Sequence, residues 1–152
     1  MIIYRIGRTE HIRDLSDIGA SIQGGRWNSK GISVVYTSQS RSLAALELYV
    51  NRTRAATLKG LSLATIIIPD TVTTKQIMVD DLPTGWNTYP APSELAHIGA
   101  RWVKSRETLV LAVPSAVMYQ ERNYLINPAH PEMARVRMDD IEDYTFDQRF
   151  LS

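Results

Sequence analysis

Glu47 is an acidic residue that falls among the apolar positions of a predicted helix. Leu43, Leu46 and Val50 recur at helical spacing, and Glu47 lies within that stripe. A carboxylate on a buried helix face is costly unless it has a partner or opens into a cleft. The pattern therefore allows two interpretations: an acid that acts on a substrate, or a structural ion pair or side chain that reaches the helix edge.

Arg26 lies in a glycine-rich segment, GGRWN, between two predicted strands. The two glycines allow the backbone to approach a ligand closely, and the planar guanidinium matches phosphate oxygens. Trp27 beside it can stack on a base or another flat ring. The alternative is an ordinary glycine turn with a solvent-exposed arginine and a tryptophan that closes the core.

Two hydroxyl-bearing residues stand at the ends of predicted strands. Ser115 follows the strand 108–113 through a proline, a place where functional side chains are common. A serine there also often caps a turn, and no G-x-S-x-G motif supports a hydrolase triad. Tyr36 closes the predicted strand 33–37 and can either stack on a flat ring or fill the core.

Apolar runs separated by turn residues define the elements that must position these side chains. A helix is predicted from Ser38 or Ser40 to about residue 52, and Ser93 is expected to cap a second helix. The segments 19–31 and 83–92 are predicted as loops. The remaining predicted strands are 2–6, 63–68, 77–79, 124–126, 135–138 and an edge strand in the tail at 144–151.

Strands occur both in succession and separated by helices, which predicts an α+β fold with a mixed sheet. A chain of 152 residues is the usual size of one domain, so a single domain over 1–152 is expected. The sequence contains neither G-x-G-x-x-G nor a P-loop, which argues against those two modes of nucleotide binding.

Composition excludes several classes of site. Without cysteine there is no disulfide, thiol nucleophile or Cys-ligated zinc, and the three scattered histidines do not predict a metal site. A net charge of +1 argues against direct nucleic-acid binding. No apolar run is long enough to cross a bilayer and the N-terminus has no leader pattern, so a cytoplasmic protein is expected.

The order of these motifs closely resembles the RES domain family. The motifs are, in chain order, GGRWN, VVYTS, LAALELYV, VPSAV and NYLINPAHP. The segments LPTGW and GARW also look like family features, and the resemblance extends from the opening Tyr4-Arg5 to the tail FDQR. The order of several separated motifs makes the match specific.

The resemblance implies a toxin of a bacterial type II toxin–antitoxin module, with an Xre-type helix-turn-helix antitoxin that covers the active site. It implies a fold similar to ADP-ribosyltransferases, with a split mixed sheet and a cleft for NAD⁺ between its parts. NAD⁺ is then a substrate, with no separate cofactor, and its nicotinamide–ribose bond is cleaved by hydrolysis or phosphorolysis. Some relatives instead transfer ADP-ribose to a protein.

Carried over to this chain, the resemblance assigns catalytic and NAD⁺-binding residues. The catalytic residues are Arg26, Glu47 and Ser115; the NAD⁺-binding residues are Arg26, Trp27, Asn28, Tyr36 and Asn123. Glu47 would act on the ribose 2′-hydroxyl and the developing oxocarbenium charge, and Arg26 would hold the diphosphate. Ser115 would bond the nicotinamide ribose or help to place Arg26, and Tyr36 would pack against nicotinamide or ribose.

Three alternatives remain at this point. The first is a protein ADP-ribosyltransferase with the same site, and the second is a non-enzymatic module that only binds a partner. The third is an RNase toxin, against which the near-neutral charge and the absence of a His–His or His–Lys set weigh. The sequence leaves the oligomeric state open, a dimer included.

Overall fold

The computed structural model describes residues 1–51 and 58–151. Seven strands in this part form a sheet in the order β4-β5-β6-β2-β1-β3-β7. All neighbours are antiparallel except β4 and β5, so the sheet is mixed, as predicted. The strands are β1 (Ile2–Arg8), β2 (Val35–Ser38), β3 (Leu61–Ile67), β4 (Thr74–Gln76), β5 (Val110–Pro114), β6 (Arg122–Ile126) and β7 (Arg137–Tyr144).

The sheet is split between β1 and β2. Their register consists of one pair of facing residues, Tyr4 and Ser38. By contrast, β1 pairs with β3 over the full length Ile2–Arg8. The structure thus confirms the expected α+β fold with a split mixed sheet, one half being β4-β5-β6-β2 and the other β1-β3-β7.

The described residues also form three α-helices: α1 (Ile18–Gln23), α2 (Arg41–Asn51) and α3 (Ser93–Ser105). The Ser40 hydroxyl accepts a hydrogen bond from the Leu43 N–H at 3.1 Å, which confirms Ser40 as a cap of α2. The predicted end near residue 52 lies outside the described residues. Ser93 is the first residue of α3 and not its cap, because the cap position is Pro92, without a side-chain hydrogen bond.

Helix α2 packs differently from the predicted stripe. Leu43 is buried as expected, but Val50 is 49% exposed. Ala44 instead belongs to an apolar cluster with Leu63 and Phe146. Leu48, which is partly buried, packs against the same cluster. Glu47, three residues after Ala44, is only partly buried and does not belong to this cluster, so it lies at the border of the packed face.

The core consists of apolar clusters on both faces of the sheet. Helix α3 places Leu95 and Trp102 on one face, against Leu111 and Leu125 of β5 and β6. The opposite face of the same strands carries Val110, within the cluster of Ile3 and Ile66. Strand β5 is buried on both faces, which explains its continuous apolar sequence.

Several predicted elements are corrected. The segment 77–79 is not a strand, since β4 lies just before it and a 3₁₀ helix begins at Val79. The tail 144–151 is not an edge strand, because its chain turns into the 3₁₀ helix Gln148–Phe150, while β7 forms that edge of the sheet. The loop 19–31 contains most of α1, which the glycines in this segment concealed.

No helix in residues 1–51 and 58–151 combines the length and the apolar character needed to span a lipid bilayer.

Candidate active site

A cleft of about 190 Å³ opens at the split in the sheet. It lies where β1 and β2 meet, and the facing pair Tyr4 and Ser38 both line it. Helix α2 contributes Glu47 to the same cleft. The remaining lining residues are Arg5, Ile6, Tyr36, Thr37, Ala44, Leu48, Asn51 and Asn123. The weakest junction of the sheet is therefore also where polar side chains collect.

Glu47 is held by two donors on one oxygen. Its Oε1 accepts hydrogen bonds from the Ser115 hydroxyl at 2.6 Å and from the Asn123 amide at 2.8 Å. No hydrogen bond to Oε2, and no ion pair of Glu47 within 4.0 Å, occurs among the described residues. The structural ion pair is therefore not the partner of Glu47 among the described residues, although Glu47 does lie at the edge of the packed helix face. The carboxylate is fixed at one oxygen while the other can act on a ligand.

Ser115 is fully buried and its hydroxyl is saturated. The oxygen accepts from the backbone N–H of Val117 and of Met118, both at 3.1 Å, while its proton goes to Glu47. Ser115 thus caps a turn, which was the structural alternative in the sequence analysis, and at the same time orients the Glu47 carboxylate. One of its two expected roles was to help to place Arg26. The hydroxyl instead donates to Glu47.

The Asn123 amide has a defined orientation. Its Oδ1 accepts from the Ser38 hydroxyl at 2.8 Å, which leaves the NH₂ group to face Glu47. Ser38 and Asn123 are partners in the β2–β6 register, so the sheet itself fixes this pair. The sequence analysis considered Ser38 only as a possible cap of the following helix, and its contact with Asn123 depends on the pairing of two distant strands.

Arg26 lies near Glu47 but is partly committed to a loop. Its Nη1 donates to the backbone carbonyls of Trp86 at 2.8 Å and Thr88 at 3.0 Å. Burial lowers the pKa of Arg26, and the nearby Glu47 carboxylate opposes that shift. Arg26 therefore interacts electrostatically with Glu47 but neither contacts it nor lines the cleft, and its side chain anchors the predicted loop 83–92.

Tyr36, Asn28 and Trp27 form a connected group behind the cleft. The Tyr36 hydroxyl donates to Asn28 Oδ1 at 2.5 Å and accepts from the Trp27 N–H at 3.1 Å. Asn28 donates to the carbonyls of Ala20 and Ile32 and is 1% exposed. Burial raises the pKa of the Tyr36 phenol, so it stays protonated.

This group explains the glycine before Arg26. A Cβ at Gly25 would lie 2.8 Å from Asn28 Oδ1 and 2.9 Å from the Tyr36 hydroxyl, closer than real contacts allow. Trp27 is 2% exposed and belongs to the core. The structure brings Tyr36 to the cleft wall, whereas Trp27 and Asn28 are used inside the protein and do not line the cleft.

Arg5 is a cleft residue that the sequence analysis missed. Its Nη1 donates to the Asp14 carbonyl at 3.1 Å, and its Nη2 lies 3.6 Å from Asp17 Oδ2. Position 5 reads as an ordinary outward residue of an apolar strand, and only the split of the sheet turns it towards a cleft. The opening Tyr4-Arg5 of the family resemblance was the available signal.

The arrangement combines an oriented carboxylate with a guanidinium in one cleft. A carboxylate in a partly dry site stabilises developing positive charge, and a guanidinium binds phosphate oxygens. Among the described residues no group of three or more histidine, aspartate or glutamate side chains stands close enough to hold a metal ion. The site thus has the parts for charge stabilisation at a cationic centre next to a phosphate.

The chain is similar in sequence to proteins described as toxins. A protein described as a Prs ADP-ribosylating toxin, from Sphingobium sp., is 36% identical over 146 residues, covering 95% of this chain and 91% of that protein. A protein named Toxin Res from Yersinia enterocolitica is 37% identical over 131 residues, covering 86% of each chain.

A solved structure has a similar fold. It is the crystal structure of the M. tuberculosis MbcT–MbcA toxin–antitoxin complex, with a TM-score of 0.79 and 19% identity, covering 95% of this chain and 84% of that chain. At this identity the similarity concerns the fold. The RES domain profile matches residues 2–147, and with relatives above 30% identity over most of its length, the chain belongs to the RES domain family.

Proposed function

We propose that this chain is a toxin that cleaves the nicotinamide–ribose bond of NAD⁺. The observation that carries the proposal is Glu47, whose Oε1 is fixed by Ser115 and Asn123 at the wall of the cleft. Loss of nicotinamide builds positive charge on the ribose, and nicotinamide leaves as a neutral molecule, so no general acid is needed. The free Glu47 oxygen supplies the negative charge and the acceptor for the 2′-hydroxyl.

Two arginines are available for the diphosphate. Arg5 lines the cleft, and its remaining N–H groups have no partner among the described residues. The Nε and Nη2 groups of Arg26 have no hydrogen-bond partner among residues 1–51 and 58–151, while Nη1 donates to two loop carbonyls. We assign direct phosphate contact to both side chains, with Arg26 acting in addition as the anchor that holds its loop beside the site.

Supporting roles follow for the other residues. Ser115 and Asn123 orient Glu47, and Tyr36 offers its ring to the nicotinamide or ribose while its hydroxyl stays bound to Asn28. Trp27 and Asn28 do not line the cleft, and they support it by their hydrogen bonds to the Tyr36 hydroxyl. NAD⁺ is the substrate in this proposal, and no further cofactor is required.

The acceptor of ADP-ribose can be water, phosphate or a protein side chain. Transfer to a protein is the second candidate function, because a relative of 36% identity is described as an ADP-ribosylating toxin. The cleft at Glu47 serves either reaction, since both pass through the same charged ribose. Only the products distinguish them: free ADP-ribose, ADP-ribose phosphate or a labelled protein band.

An antitoxin is the partner we propose, acting with the toxin in the bacterial cytoplasm. The turn after Ser115 exposes Val117, Met118 and Tyr119, which form an apolar edge directly beyond the residue that orients Glu47. A similar fold is found in a toxin–antitoxin complex. An antitoxin of the Xre helix-turn-helix type, seated on this edge, would cover the cleft, and Tyr119→Glu should weaken its binding.

The test is product analysis with purified protein and NAD⁺, with and without phosphate. Wild type should release nicotinamide, and Glu47→Gln should lose several kcal/mol of transition-state stabilisation while keeping most of its NAD⁺ affinity. Glu94→Gln, on the exposed first turn of α3, is the matched control and should behave as wild type. Equal turnover in Glu47→Gln and wild type would reject the role of Glu47, and no nicotinamide from wild type would reject the function.

A further inference from the structure

We propose that Asp17 is a positioning residue, which holds the Arg5 guanidinium against the cleft wall for the diphosphate of the substrate. This inference rests on the proposed function and deepens it, because it explains what fixes the orientation of Arg5 in the cleft. Neither Asp17 nor its loop carries a sequence motif that points to such a role.

Two oxygen atoms lie beside the Nη1 and Nη2 groups of the Arg5 guanidinium. Asp17 Oδ2 lies 3.6 Å from Nη2, and the Asp14 carbonyl accepts from Nη1 at 3.1 Å. The side chains of Arg5 and Asp17 are only 14% and 18% exposed, so their attraction is screened less than that of a surface pair. Arg5 also lines the cleft, and its remaining N–H groups have no hydrogen-bond partner among the described residues.

Asp17 has a left-handed backbone conformation just before helix α1. It has φ 48° and ψ 50°, in the left-handed region that few residues other than glycine adopt. Its carbonyl accepts from the N–H groups of Ala20 and Ser21, so the first turn of α1 holds it in place. An unfavourable conformation persists where surrounding structure requires it, and such positions collect at functional sites.

Asp17 also lies close to the Tyr36 phenol. Burial raises the pKa of that hydroxyl, and the Asp17 carboxylate adds to the shift. Burial raises the pKa of Asp17 itself, and Arg5 opposes the shift.

A carboxylate beside a phosphate-binding arginine has two opposing effects. It repels an anionic substrate, and it restricts the arginine to one orientation, so that less side-chain freedom is lost on binding. We infer that the second effect dominates, because Arg5 has no other side-chain partner among the described residues. The sign of the change in KM on removing the charge separates the two effects.

The experiment is steady-state nicotinamide release by Asp17→Asn. Asparagine tolerates the left-handed conformation, so the variant removes charge while keeping shape. The KM for NAD⁺ should rise roughly fivefold while kcat changes by less than about twofold. Asp147→Asn, which breaks an Arg–Asp pair at the exposed tail, is the control and should leave both constants unchanged. A fall in KM, or an unchanged KM, overturns the inference.

A double-mutant cycle with Arg5→Gln provides the readout that a merely structural role would not move. If Asp17 acts through Arg5, Asp17→Asn has little further effect on KM once Arg5 is replaced. Additive effects overturn the inference. Arg5→Lys, which keeps the charge and loses the fork, replaces Arg5→Gln if that variant does not fold. An active wild type with additive effects refutes only the role of Asp17, whereas an inactive wild type refutes the proposed function as well.

Discussion

Removal of the Asn123 amide tests whether the orientation of Glu47 matters for catalysis. Asn123→Ala deletes one of the two donors to Glu47 Oε1 and leaves the Ser115 hydroxyl in place. It also removes the acceptor of the buried Ser38 hydroxyl, which is 3% exposed. The carboxylate keeps its charge and its helix, but one constraint on its direction is lost.

The magnitude follows from the kind of bond removed. A hydrogen bond to a charged group contributes about 1.5–3 kcal/mol, and the Ser115 bond remains as a partial substitute. We therefore expect kcat to fall by about 10- to 100-fold, since each 1.4 kcal/mol of barrier is a factor of about ten. The KM for NAD⁺ should change by less than about twofold, because Glu47 acts on charge that develops in the transition state.

The assay is chromatographic quantification of nicotinamide across a range of NAD⁺ concentrations. Asn87→Ala, at an exposed asparagine, is the matched control and should retain wild-type kcat. The free energy of unfolding of Asn123→Ala should drop by about 1–3 kcal/mol, as expected when a buried hydroxyl loses its partner, so folding is checked in parallel. A folded Asn123→Ala with wild-type kcat would show that the orientation of Glu47 does not matter, and the reasoning about the site would fail.

Three further outcomes are expected. Gly25→Ala should lower the free energy of unfolding by about 1–3 kcal/mol, because the added Cβ would clash with Asn28 and Tyr36. Gly19→Ala is the control, and it should raise that free energy by up to about 1 kcal/mol because the space around its Cβ is open. Equal midpoints of urea unfolding for the two variants would contradict this reasoning. Arg26→Ala should raise KM and lower kcat together, and unchanged constants would remove it from the site. The bonds from Thr73 hold the pKa of Glu132 below its usual value of 4.5. Their stabilisation is present above that pH and lost as pH falls through the lower folded value, so the stability gap between wild type and Glu132→Gln should shrink in acid.

The buried strands and the two long helices could be predicted from apolar patterns. Strand β5 is buried on both faces and reads as a continuous apolar run, and β3 is similar. The predicted strand 135–138 overlaps β7 only at its last two residues, because the edge position of β7 leaves charged residues on the outer side and hides the alternation. Helix α1 has six residues, too few for a periodic pattern to show.

The candidate site was predictable where a residue type conflicted with its surroundings. Glu47 on an apolar helix was such a conflict, and the structure resolves it through Ser115 and Asn123. Arg5 and Asp17 could not be found in this way. An arginine on the outer side of a strand and an aspartate in a loop are ordinary, and their roles depend on the split of the sheet, which is a property of pairing between distant segments.

The single register pair between β1 and β2 has a mechanical consequence. Within its half of the sheet, β1 is tied to β3 by seven facing pairs, so bending there would break many backbone hydrogen bonds. Rotation about the Tyr4–Ser38 contact would break few. The width of the cleft is thus governed by the most compliant point of the sheet. A dinucleotide that contacts both halves would stiffen that hinge and slow amide hydrogen exchange along β1 and β2 together.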